Sequence, residues 1–356
     1  MTLRRKETHP MHMRLPGARA VSVAAAISLL AAGAAYAAGV RHTAKVTKVA
    51  IATPAKASDY GWNQQGLNAA KAAAASVGAK FQAVTNIGYD KTNVVLRQLA
   101  QSGTSFLVAH ASGYDTIAAR IARQYKVPTI TYDVPTNLAK GYLSYVTTSS
   151  QEGAYLAGIL AAKTTKTHKV GIIISASDDN WYKMSGGFAA GFRSVDKASK
   201  IFFATVSPTG YDDAAGGKRV ADSVIAQGAD VIFAMGDNAS FGYLQAIETA
   251  KPGHKVWYIG DIGNMTPIDK KHVLLSSVLW NFTGIFKQAI RDINGGTYGM
   301  HGYNLSLKNG GISLLHSKYI AAPVWARIQR ARAQIKAGKI TIPVAHKASA
   351  IEQLIK

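Results

Sequence analysis

Residues 103–133, GTSFLVAHASGYDTIAARIARQYKVPTITYD, and residues 228–261, GADVIFAMGDNASFGYLQAIETAKPGHKVWYIGD, decide the fold. Each runs through Gly, a short apolar stretch, a polar loop, a helical pattern, a second apolar stretch and Asp. In the first copy Phe106–His110 and Thr129–Tyr132 have strand character, and Ile117 and Ile121 stand four apart on one face of the helix between them. Short strands alternating with helices of about 10–15 residues define βαβ units and a parallel sheet.

The same rhythm extends in both directions. Strands are expected at Lys48–Thr53 and Phe81–Thr85, with helices at about 62–76, Asn93–Gln101 and Thr116–Tyr125. From Gln151 the scheme restarts with helix Gln151–Lys163. Strands Val170–Ile174, Ile201–Val206, Val231–Met235 and Val256–Ile259 then alternate with helices Gly186–Val195, Gly217–Gln227 and Phe241–Ala250. Strand Val273–Leu279 follows, then helix Trp280–Asn294 ending at Gly295-Gly296, a short strand to Leu315, and a helix from Ala322-Pro323 to Lys336. The expected fold class is α/β, with two doubly wound parallel-sheet lobes joined by a multi-crossover hinge. Lobe 1 takes residues 39–147 plus 276–300. Lobe 2 takes 148–275 plus 301–330, and 331–356 is a basic C-terminal tail.

Arg4, Arg5, Lys6, Arg14 and Arg19 precede an apolar run from Ala20 to Ala35 that ends in Ala35-Tyr36-Ala37. A basic start, a short apolar run and a small-x-small site predict a secretory signal peptide over 1–38, cleaved near Ala37 or Ala38. The exported chain is then expected in a periplasm. The whole chain has 356 residues, with 41 Lys+Arg, 19 Asp+Glu and no Cys. Removing the leader takes away five basic residues and Glu7, leaving 36 minus 18, or +18. Outside the cytoplasm such charge does not imply nucleic acid, and no nucleic-acid partner is expected. Zero cysteines exclude disulfides, thiolate metal sites and a lipidated cysteine anchor.

In open parallel sheets ligands bind beyond the carboxyl ends of the strands. The loops there hold Asp59, Tyr60, Trp62 and Asn63, then Ser112 and Tyr114, then Asp133. In the second half they hold Asp178-Asp179-Asn180-Trp181, Tyr211, Asp237, Asn238, Asp261 and Trp280. Tryptophans and tyrosines beside Asp and Asn suit a planar heterocycle that bears N–H donors, stacked on rings and read at its edge by acceptors. Pyranose faces also pack on Trp, so a sugar receptor stays open at this point, as does an exported nucleoside- or glycan-processing enzyme using Asp59 or Asp133. Enzyme motifs are absent: no Gly-x-Ser-x-Gly, no His-Glu-x-x-His and no Gly-x-Gly-x-x-Gly after a first strand. Gly216-Gly217-Lys218 lacks the earlier Gly and the following Ser/Thr of a phosphate loop. Asp178-Asp179 and Asp212-Asp213 read as helix N-cap and loop residues. No cofactor and no metal site is expected.

Several segments carry a family resemblance: Asp59-Tyr60-Gly61-Trp62-Asn63, Ser112-Gly113-Tyr114, Gln151-Glu152-Gly153-Ala154-Tyr155-Leu156-Ala157-Gly158 with Ala161-Ala162, Gly187-Phe188-Ala189-Ala190-Gly191, and Gly228-Ala229-Asp230-Val231-Ile232-Phe233. The chain resembles the basic membrane protein family of ABC-transporter substrate-binding proteins, of the type I periplasmic binding fold, over about Lys48 to Ile342. The resemblance implies a monomeric receptor for a purine or purine nucleoside that delivers it to an inner-membrane ABC permease. Nucleoside-binding members resemble Asp-x-Ser-Phe-Asn-Gln in the first loop. Asp59, Asn63 and Gln64 carry over, and Trp62 takes the stacking place. Those members hold ribose with a Lys where this chain has Trp280, and their Gly-x-Asp motif is shifted here to Gly260-Asp261. These departures point to a free, adenine-like purine base ahead of a nucleoside. The implied arrangement stacks the base on Trp62 with Tyr114 or Trp181 opposite, and reads its edge with Asp237, Asn238 and Asp133.

Overall fold

The structure, a computed structural model, describes residues 45–251 and 253–356. The expected leader lies outside them. Runs such as Val49-Ala50-Ile51-Ala52, Phe106-Leu107-Val108-Ala109 and Val231-Ile232-Phe233-Ala234-Met235 are buried along their whole length. Apolar stretches this short, covered on both faces, are central strands of parallel sheets.

The first sheet contains β1 (Lys48–Ala52), β2 (Lys80–Val84), β3 (Phe106–Ala109), β4 (Thr129–Tyr132), β5 (Leu143–Thr148) and β11 (Tyr303–Leu305), in the order β2-β1-β3-β4-β5-β11. The second contains β6 (Lys169–Ile174), β7 (Lys200–Thr205), β8 (Val231–Met235), β9 (Trp257–Ile262), β10 (Leu274–Trp280) and β12 (Ile312–Leu314), in the order β7-β6-β8-β9-β10-β12. The two orders are one topology used twice. All pairings are parallel except β10 with β12. In each sheet the winding reverses between the first and third strands, which opens a crevice at their carboxyl ends.

Ten described helices cover the sheets: α1 (Trp62–Ala75), α2 (Thr92–Gln101), α3 (Asp115–Tyr125), α4 (Ser150–Thr164), α5 (Asp179–Arg193), α6 (Ala214–Ala226), α7 (Ala239–Thr249), α8 (Thr283–Gly295), α9 (Ala322–Lys336) and α10 (Ala348–Ile355). The most extensive helix–helix contact joins α4 to α5. A Cβ on Gly158 would overlap the Phe188 carbonyl oxygen, and one on Gly191 the Tyr155 carbonyl oxygen. Two of the family segments, Gln151–Gly158 and Gly187–Gly191, therefore encode a helix crossing.

Among the described residues the chain passes between the sheets three times: after β5, after β10 and between β11 and β12. This moves the expected lobe limits. Residues 276–280 hydrogen-bond into the second sheet, and 303–305 into the first, because β11 pairs with β5 and β10 with β9 and β12. Trp280 ends β10, and α8 starts only at Thr283, whose N–H is accepted by the Asn281 side chain. The expected tail is built into lobe 2. Ile351 is fully buried, and the Arg193 guanidinium donates to the Ile355 carbonyl at 2.6 Å.

Candidate functional site

Between the two sheets lies a cavity of about 90 Å³, lined from the first lobe by Pro54, Trp62, Tyr89 and Ala111 through Gly113, and from the second by Asp178, Asn180, Trp181, Tyr211, Asp237, Ile262 and Trp280. Every one of these follows, or ends, a strand at its carboxyl side. The walls are aromatic, the polar side chains are the carboxyls of Asp178 and Asp237, the Asn180 amide and the hydroxyls of Ser112, Tyr89 and Tyr211, and no Lys or Arg lines the space.

Trp62 opens α1 and is fastened twice to the end of β3. Its indole N–H donates to the His110 carbonyl at 2.9 Å, and His110 Nε2 meets the Trp62 carbonyl at 2.9 Å. The His110 ring stacks on the indole with centroids 4.3 Å apart and planes 16° from parallel. Tyr132 lies 2.6 Å from His110 Nδ1. With a carbonyl at Nε2, the proton belongs on Nε2 and the Tyr132 hydroxyl donates to Nδ1. Burial drives the His110 pKa down to about 3, so the imidazole under Trp62 is neutral.

On the opposite wall Asp178 caps α5, accepting from the backbone N–H groups of Asn180 and Trp181. The Trp181 indole N–H donates to Asp261 Oδ2 at 3.0 Å, and its ring lies 5.2 Å from that of Tyr211. Asp261 is buried and its pKa is pushed up to about 8, chiefly by burial. Asp178 rises to about 6, from burial and then the charge of Asp133. Asp237, half-buried, is raised well above the ordinary carboxylate range by burial and by the charges of Asp59, Asp261, Asp212 and Asp178. Among the described residues no group donates a hydrogen bond to its side chain. Acidic groups gathered without cations hold protons or wait for donors.

Three non-glycine residues at this place have left-handed backbone: Tyr60 (φ 55°), Asp133 (φ 58°) and Ile262 (φ 60°). Such conformations cost on the order of 1–3 kcal/mol each and gather at functional sites. Two bridges join the lobes beside the cavity. Asp133 Oδ2 accepts from Ser112 Oγ at 2.7 Å and from Asn180 Nδ2 at 3.2 Å, while Thr148 donates to Asn180 Oδ1 at 2.6 Å. The Tyr60 ring meets Phe241 edge to face at 6.5 Å.

Of the residues expected at a ligand, Trp62, Ser112, Trp181, Tyr211, Asp237 and Trp280 line the cavity. Asp133 and Asp261 stand directly behind it, bonded to lining side chains. Tyr60 sits at the seam between lobes, and Asn238 holds Asp212 at 2.7 Å. Three others are held elsewhere by their own bonds. Tyr114 is fully buried, its hydroxyl donating to the Gly88 carbonyl at 2.6 Å, which leaves no ring face for a ligand. Asp59 accepts from the N–H groups of Gly61, Asn63 and Gln64 and from Asn63 Nδ2, and the Asn63 Oδ1 accepts from Ala55. Asp59→Ala should therefore act on folding. Stranding four donors is expected to cost about 2 kcal/mol or more, read as a lower urea midpoint.

The sequence reading missed Tyr89, and it gave Asp178 and Asn180 no part in the ligand contact. Asp178 and Asn180 stand in the loop quoted for Trp181. Tyr89 lies beyond the carboxyl end of β2, a loop that the same strand-end rule covers. Among the described residues no group of three or more potential ligands is placed to hold a metal ion, and no helix is long and apolar enough to cross a membrane.

Two sheets of one topology, joined by three chain crossings with an aromatic cavity between them, define the bilobed type I periplasmic binding fold. Solved structures agree with that class. A solute-binding protein of an ABC transporter system from Aeropyrum pernix K1 superposes with TM-score 0.74, covering 86% of this chain and 96% of that one at 18% identity. One from Conexibacter woesei DSM 14684 gives 0.70, with 84% and 99% covered at 20% identity. The chain belongs to the Bmp family, described as ABC transporter substrate-binding protein PnrA-like, whose model matches residues 46–346. It is 29% identical over 210 residues to the ABC transporter nucleoside-binding protein BmpA of Lactococcus lactis, an alignment covering 55% of this chain and 59% of that protein. The aligned stretch is thus under two thirds of that relative's length.

Proposed function

We propose that this chain is the exported receptor of an ABC importer and takes a purine base, adenine-like, between its lobes. The observation that carries the reading is the cavity itself: flat indole walls from both lobes, with Asp237 and Asp178 presenting carboxyl oxygens and no cation opposing them. A purine supplies faces for the walls and N–H edges for the acids. Trp62, braced by His110, is the platform on the first lobe, and Trp181 with Tyr211 forms the facing wall. Lobe closure about the three crossings completes the contacts, and the closed form is what the membrane permease recognises. No chemical step is involved.

A purine nucleoside is the second reading, favoured by the similarity to the nucleoside-binding protein of Lactococcus lactis. Mass spectrometry of small molecules released on denaturing the purified protein tests both, backed by calorimetry with adenine, hypoxanthine, guanine, adenosine and ribose. A recovered base with much weaker nucleoside binding supports the first. A recovered nucleoside replaces it with the second, and binding of ribose or hexoses alone sinks both. Trp62→Ala is expected to weaken base binding by about 1–3 kcal/mol in the same calorimeter. Unchanged affinity would remove Trp62 from the ligand platform.

A further inference from the structure

Three indoles line the cavity, and two have committed their N–H groups. Trp62 donates to the His110 carbonyl and Trp181 to the Asp261 carboxylate. Trp280 does neither. It is 2% exposed, its Nε1 is buried, and no described residue accepts from it. Its ring is fixed by neighbours on several sides, edge to face with Trp62 at 6.0 Å and tilted against Phe282 at 6.2 Å, at the end of β10. Phenylalanine would fill that space without a buried donor left over, and an unmet buried N–H is unfavourable. Of the other polar side chains lining the cavity, Asp178 and Asp237 offer carboxyl oxygens, the Tyr211 hydroxyl donates to Asp178 at 3.4 Å, and the Tyr89 hydroxyl, on an exposed ring, can be met by water. Asn180 spends both ends of its amide on Thr148 and Asp133, and Ser112 donates to Asp133.

We infer that Trp280 is a specificity-determining residue whose indole N–H donates to a ring-nitrogen acceptor of the bound heterocycle. This rests on the purine reading and adds to it a requirement the aromatic walls do not impose. The ligand must carry an unprotonated ring nitrogen on the side facing β10, as well as N–H groups for the carboxyl side. A planar ring lacking that acceptor fits the space and leaves the donor unmet, so it is discriminated against.

The test is a cycle between one protein atom and one ligand atom. Adenine, 1-deazaadenine, 3-deazaadenine and 7-deazaadenine each replace one ring nitrogen by C–H, the parent excepted, and are titrated calorimetrically into the native protein and Trp280→Phe. One analogue is expected to bind the native protein about three- to tenfold more weakly than adenine, and to lose that penalty in Trp280→Phe. In case the variant does not fold, indole-15N-labelled native protein gives an independent reading. The Trp280 indole proton should shift downfield with adenine and stay unshifted with that same analogue. If adenine binds but every analogue keeps the same discrimination in both proteins, and the Trp280 proton does not respond, the donor role is overturned while the purine reading stands. If no member of the series binds at all, the purine reading has failed and takes this inference with it.

Discussion

Gly158→Leu is expected to leave little folded protein. The residue sits where α4 crosses α5, and the first side-chain atom added there would clash with the Phe188 carbonyl oxygen and press on the Phe192 N–H. These are backbone atoms, and no rotamer change clears them. Overpacking a core typically costs about 1–3 kcal/mol. Here the helices must separate, carrying with them the buried faces of Leu156, Phe188 and Phe192, so the cost should exceed about 3 kcal/mol out of a total of about 5–15. Soluble yield and a urea midpoint check this, with Gly284→Ala as the control. Gly284 also lies in a helix, but a Cβ there meets nothing, and the change should be neutral or slightly stabilising. A native-like midpoint for Gly158→Leu would mean that the helices do not cross so closely.

The melting temperature of the unliganded protein should fall as pH rises from about 6.5 to 8. Asp261 titrates at about 8 in the folded protein against about 3.9 for a free aspartate. Between those values the folded state holds a proton that the unfolded chain has released, so raising the pH favours unfolding. Asp237 is raised too and acts in the same sense, as does Asp178 up to about 6. His110 acts oppositely. Its folded value of about 3 lies below the free value of about 6.5, so it removes stability as pH falls through that interval. Below about 6.5 the two effects compete, and above it the carboxyl groups act alone. Asp261 should contribute about 2 kcal/mol across the upper window. Asp261→Asn, which still offers Trp181 an acceptor, should flatten the slope. A melting temperature that is level or rising from 6.5 to 8 would show that these acids are ionised in the folded protein.

The doubled pattern around Phe106 and Val231 was enough to read both sheets, because strands buried on both faces are continuous apolar runs set apart by loops. What escaped was structure that exists only through its partner. Tyr303-Asn304-Leu305 becomes β11 because β5 lies beside it, and three residues carry no period of their own. Trp280 has the character of either a strand end or a helix start, and only its pairing with Ile312 decides between them. At the cavity the residue types were legible and their directions were not. Asp59 and Asp237 both follow a strand and precede a helix, yet the first is consumed by four local donors and the second faces the cavity unmet. Tyr114, in a loop of the right position, turns inward under Tyr89, which takes the cavity face in its place.

The triple passage between the sheets also limits how such a protein can be rearranged. Neither lobe corresponds to an uninterrupted stretch of gene. A cut after Thr148 removes β11 and α8 from the first lobe, and a cut before Ser150 leaves the second carrying both. Recombination at one junction would therefore join a first sheet short of its last strand to a second half that brings another parent's β11 and α8 into it. Descendants of this chain can change what they carry by substitution at the strand ends around Trp62, Asp237 and Trp280, and cannot do so by exchanging one lobe for another's.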